Sequence, residues 1–95
     1  MPAPRFEYGD DARPVLDRLE VEASDRLWNG ICDAIQLIVT RSDSREARAE
    51  ELRSRDGTAV WKVDVFDGRD DWAILWHHDT TGLLVIAWIG LWPPG

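Results

Sequence analysis

Lys62 and Asp64 stand two residues apart in the segment Val60-Trp61-Lys62-Val63-Asp64-Val65. On a strand, that spacing turns both side chains to one side of the sheet. An ammonium there can hold a phosphate while the carboxylate moves a proton. The same spacing also makes an ordinary ion pair between neighbours on one face. His77 and His78 stand side by side just before Asp79. Adjacent strand residues point to opposite sides, so these imidazoles cannot readily chelate one metal. No third ligand follows at zinc-type spacing, and neither a metal nor a cofactor is expected. His77 alone, on the side shared with Lys62, has the titration range of a general acid or base. A further set, expected on that same side, is Phe66, Leu75, Ile86, Trp88 and Trp92. Such side chains can stack on unpaired bases or anchor a protein partner.

The charge of the chain weighs between those two uses. Among 95 residues, 18 are acidic and 11 basic, for a formal net charge of −7. The average field repels a phosphate backbone, so protein contact is the favoured reading of the aromatic set. Lys62 is the only lysine. The nearest thing to a basic cluster is Arg45, Arg48, Arg53 and Arg55, interleaved with Glu46, Glu50 and Glu51. Helical spacing would pair Arg48 with Glu51, Glu50 with Arg53 and Glu51 with Arg55, as exposed, solvated contacts. The only cysteine, Cys32, excludes an internal disulfide and is expected as a small core residue on or beside a helical stripe.

The length suits one domain over 1–95, with 1–11 as an N-terminal strand or arm and 93–95 as a tail. No charged-then-apolar signal pattern opens the chain, and the apolar run Leu83 to Trp92 is too short to cross a bilayer as a helix. A cytoplasmic protein with no membrane partner is therefore expected.

The elements that would position these residues fall in two halves. Phe6 to Tyr8 reads as a short strand or extended arm. Asp10 and Asp11 ahead of Pro14 signal a helix start, with Val15, Leu16 and Leu19 as its buried stripe. Ser24 is a suitable N-cap for a longer helix carrying Leu27, Trp28, Ile31, Ala34, Ile35 and Ile38 at three- and four-residue spacings and ending near Thr40. Arg45 to Arg53 is rich in good helix formers and reads as a short surface helix anchored by Leu52.

Beyond Gly57 the period changes to two. Trp61, Val63 and Val65 alternate with polar residues, Trp72, Ile74 and Trp76 repeat the pattern, and Leu83 to Leu91 is nearly all apolar before Pro93 stops it. Turns at 67–70 and 79–82 make the three segments antiparallel neighbours. With both turns four residues long, Trp61 faces Trp76, Val63 faces Ile74 and Val65 faces Trp72. On the next pair Trp76 faces Val85, Ile74 faces Ala87 and Trp72 faces Ile89. That face is assigned to the helices. The opposite face then carries Val60, Lys62, Asp64, Phe66, Ala73, Leu75, His77, Leu84, Ile86, Trp88 and Trp92. A sheet covered on one side should be polar on the other. This one is not, so a second copy, another protein or the N-terminal arm should cover it. The expected architecture is α+β, two or three helices packed on a three- to four-stranded antiparallel sheet.

The order helix, long helix, Arg/Ala-rich segment and strand meander resembles RelE/ParE-type toxins. The likeness rests on "DAIQLIVTRSDSREARAEELRS", "VWKVDV", "WAILW" and "LLVIAWIG", and covers nearly the whole chain. It implies the toxin component of a type II toxin–antitoxin system, partnered by an antitoxin or a second copy. In the ribosome-dependent mRNA endonucleases of that family, the open sheet face holds several Lys and Arg residues. Carried over position by position, Lys62 alone is matched. Asp64, Ala73 and Trp92 stand where relatives place cations, and Gly95 ends the sequence before a C-terminal tyrosine. The implied site is degenerate, with Lys62 on phosphate and His77 or Asp64 moving a proton. Members that act on DNA gyrase need no cation cluster. The other reading is a non-catalytic protein-interaction module that uses the apolar open face.

Overall fold

The computed structural model describes residues 5–94. Residues 1–4 of the expected arm, and Gly95 of the tail, lie outside the described residues. The chain runs β1 (Phe6–Tyr8), α1 (Ala12–Glu22), α2 (Asp25–Thr40), β2 (Glu50–Arg53), β3 (Ala59–Phe66), β4 (Asp71–His78) and β5 (Leu84–Leu91). The strands form one five-stranded sheet in the order β1-β5-β4-β3-β2. Its β1 runs parallel to β5, and the other neighbours are antiparallel. The architecture is thus α+β, but the sheet is mixed and larger than expected. The N-terminal segment extends the sheet at its edge.

Both helices follow from their sequence signals. Ser24 caps α2, its hydroxyl accepting from the Leu27 N–H at 3.2 Å, which satisfies one of the orphan donors of the first turn. Leu27, Ile31, Ala34, Ile35 and Ile38 form the buried stripe of α2, and Ala12, Leu16 and Leu19 that of α1. Gly30 lets α2 approach the sheet closely, since a Cβ there would stand 2.8 Å from Val65 Cγ1.

The expected third helix does not form. Turns occupy most of residues 42–49, and Glu50–Arg53 pairs with β3 as an edge strand. Ser44 caps one local turn, accepting from the Ala47 N–H at 3.2 Å. Ala47 is fully buried, and its carbonyl accepts from the Trp76 indole N–H at 2.9 Å. That oxygen thus serves the core, and with no apolar stripe to bury, the open edge of β3 offers Glu50–Arg53 better partners than a helix would. The helical ion pairs expected there are replaced by Arg53 and Glu51, 3.5 Å apart.

The β3–β4 register is as expected, with Trp61, Val63 and Val65 facing Trp76, Ile74 and Trp72. The β4–β5 register differs twice. The second turn holds one residue more, closed by the Asp79 N–H to Leu83 carbonyl bond at 2.8 Å and by Gly82 at φ +88°. Trp76 therefore faces Ile86, which puts Leu84 and Ile86 on the helix side and Val85 on the other. An irregularity beside Leu75 and Trp76 then adds a second residue, so Leu75 faces Trp88, Ile74 faces Ile89 and Trp72 faces Leu91. One shift flips the side chains and the second restores them, because the side-chain period is two. Ile86, expected on the open face, is buried beneath the helices with no exposure. Leu84 joins it in the core, while Trp88 stays on the far side.

Candidate functional site

Lys62 occupies the face turned away from the helices, opposite Leu75 on β4 and Glu50 on β2. It is nevertheless only 6% exposed. Its Nζ donates to Asp64 Oδ1 at 2.7 Å and pairs with Glu50 Oε2 at 2.8 Å. The Trp92 ring lies against the same nitrogen, its centroid 4.9 Å away, within cation–π range. Burial by itself would lower the pKa of this ammonium. The hydrogen bonds to Asp64 and Glu50 outweigh that, and the pKa is raised. Lys62 therefore stays charged, and that charge is met by its own neighbours.

Two tryptophans roof part of the face. Trp88 lies across Gly90, where a Cβ would come within 2.6 Å of its ring. Trp92 meets Trp88 edge-on, the centroids 6.0 Å apart at 76°. Its backbone N–H donates to the Asp71 carbonyl at 2.9 Å, which extends the pairing of β4 and β5 by one residue. Ala73 and Val85 are buried although they lie on the face turned away from the helices. The remaining apolar surface includes Phe66, 58% exposed, with half-buried Leu52, Val60, Leu75, Trp88 and Trp92. Strand alternation puts the exposed carboxylates of Glu7, Glu50, Asp64 and Asp71 on the same side.

His77 lies on this face, as its position requires, beyond Leu75. It is half-buried, with Nδ1 3.1 Å from the His78 carbonyl oxygen. Together with Asp56, Thr58, His78, Asp79 and Thr80 it lines a hollow of about 480 Å³. No Lys or Arg is among those residues. The structure thus joins Lys62 to Asp64 but puts His77 at a separate hollow. Of the partner-binding set, Phe66, Leu75, Trp88 and Trp92 share the open face, and Ile86 does not.

Three further residues depart from what the sequence suggests. Glu50, expected on a helix, completes the enclosure of Lys62. Arg48 lies over Trp61, 4.5 Å from the ring centroid, and donates from Nε to the Ser42 carbonyl at 2.7 Å. Cys32 is exposed rather than buried. It lines a groove of about 360 Å³ with Phe6, Tyr8, Leu16 and Trp28. Partial burial, then the charges of Asp33 and Glu20, raise the pKa of its thiol, opposite to the shift a reactive thiolate needs.

No helix among the described residues is long and apolar enough to cross a membrane. No protein-family model, curated protein or solved structure matches this chain.

Proposed function

We propose that this chain is a RelE/ParE-like domain of the toxin–antitoxin type that acts through protein recognition on its open sheet face, not through phosphoryl transfer. The observation that carries this reading is the enclosure of Lys62 by Glu50, Asp64 and Trp92. A phosphoryl-transfer site must place unspent cations against developing negative charge. Here the one lysine is already paired with two carboxylates, and His77 faces a hollow to which no Lys or Arg contributes. The order of helices and strand meander supports the family part of the reading. The half-buried Trp88 and Trp92 beside exposed Phe66 support the recognition part, since aromatic anchors dominate binding energy at protein interfaces. The partner is an antitoxin-type protein in a cytoplasmic setting.

The test is expression of the chain alone, with growth and mRNA integrity followed together. Any growth defect should persist in Lys62→Ala and His77→Ala and disappear in Phe66→Ser, with mRNA intact throughout. Ribosome-dependent mRNA cleavage that is lost in Lys62→Ala would overturn the reading.

A further inference from the structure

The chemistry of the partner is written in the charges of the open face. Glu50, Asp64 and Asp71 are exposed beside the apolar patch of Phe66, Leu75, Trp88 and Trp92, and Glu7 is exposed on the same face beside Val85. Among the strand residues of this face the cation is Lys62, which is buried and paired, while Arg5 stands exposed just ahead of β1 near Glu7. Any surface laid on this face therefore meets apolar rings with exposed carboxylates beside them. Lys62 engages Oδ1 of Asp64 and Oε2 of Glu50, on side chains that remain 70% and 50% exposed, so both carboxylates stay accessible to a partner. A guanidinium can bind those carboxylates and also stack on Trp88 or Trp92.

A second copy fits this face poorly. A two-fold interface sets the same patch against itself, and here it would bring like carboxylates together between chains of net charge −7 each. Like-charge juxtaposition of that kind is strongly unfavourable. RNA meets the same repulsion. We infer that the face takes a basic protein segment, with apolar side chains flanked by Arg or Lys. This inference rests on the protein-recognition reading and adds the sign and pattern of the partner.

The whole chain can be titrated with a synthetic amphipathic peptide of leucine and lysine, with its glutamate-for-lysine counterpart, and with a single-stranded RNA oligonucleotide. Tryptophan fluorescence reports binding, and light scattering after size exclusion reports mass. The lysine peptide should bind saturably and weaken with salt. Asp71→Asn and Glu7→Gln, which leave the Lys62 pairs intact, should each weaken it about fivefold, the scale of one exposed ion pair. Phe66→Ser should weaken it further, and Val21→Ser, remote from the face, should not change it. Equal binding of the acidic peptide, preference for the RNA, or a stable dimer of the chain alone would overturn the inference. So would peptide binding indifferent to Asp71, Glu7 and Phe66. The mRNA experiment is independent of this one. Intact mRNA together with no selective peptide binding would reject the basic partner and leave the non-catalytic reading standing.

Discussion

Trp92 closes over Lys62, its ring centroid 4.9 Å from the ammonium nitrogen. The other contacts of that nitrogen are carboxylates, Asp64 on the same strand and Glu50 on the edge strand. On the proposed reading, this arrangement makes the residue best suited to phosphate chemistry a structural one. It also gives the open face a polar centre that is internally satisfied.

Lys62→Met keeps most of the side-chain volume against Trp92 and removes both ion pairs. Glu50 and Asp64 are exposed enough to rehydrate, so the change in stability should stay within about 1 kcal/mol. Urea unfolding measures it. A loss of about 3–5 kcal/mol would mean the carboxylates behave as buried charges. The raised pKa of Lys62 fixes the sign of the pH effect. Its contribution is fully present below the ordinary value of 10.5 and is lost as pH rises through the higher folded value. Wild type should therefore lose stability relative to Lys62→Met in strongly alkaline solution.

The irregularity in β5 predicts opposite outcomes for near neighbours. Ile86 has no exposure and sits in the core, whereas Trp88 lies half-buried on the far face. Ile86→Ala should cost about 2–5 kcal/mol. Trp88→Ala should cost less and act mainly on partner binding. Thermal unfolding of the two variants checks this, and the reverse order would restore the unshifted register.

Gly30 tests the contact between helix and sheet. Alanine gains about 1 kcal/mol of helix propensity, but its Cβ would stand 2.8 Å from Val65 Cγ1. Val65 is buried and its branched side chain is stiff. Overpacking of about 1–3 kcal/mol should therefore win, and Gly30→Ala should lower the unfolding midpoint in urea.

Three loop carboxylates contribute to the acid limb. The pKa of Asp56 is lowered to about 2, chiefly by the Ser54 hydroxyl and then by Thr58. Asp67 is lowered by the backbone N–H groups of Asp70 and Arg69, and Asp79 by the Thr81 hydroxyl and neighbouring backbone N–H groups. Depressed carboxylate pKa values give stability that is present above the unfolded values and lost as pH falls through the folded ones. The melting temperature should decline from pH 4 toward about pH 2. Asp79→Asn should flatten part of that decline.

Much of the frame was legible in the residues themselves. The stripe of Leu27, Ile31, Ala34, Ile35 and Ile38 and the Ser24 cap mark α2 directly, and the alternation of Trp61, Val63 and Val65 marks β3. The failures have local physical causes. Helix propensity favours Arg45 to Arg53, but the open edge of β3 and the indole of Trp76 compete for the same backbone groups. Nothing in Glu50-Glu51-Leu52-Arg53 signals that edge strand, so the partnership of Glu50 with Lys62 was hidden. In β5 the near-continuous apolar run carries no alternation, so no pattern could reveal a shifted register or the exchange of Ile86 for Val85. The Lys62–Asp64 pair needed only the strand and its period of two, and it forms at 2.7 Å.

The most direct test of the enclosed lysine is the nitrogen-15 resonance of the Lys62 Nζ, followed by NMR while a single-stranded RNA oligonucleotide or inorganic phosphate is added. A paired, covered ammonium should show slowly exchanging protons and a resonance unmoved by either ligand. Rapid exchange in the free protein, together with a saturable shift on addition of RNA, would contradict the account.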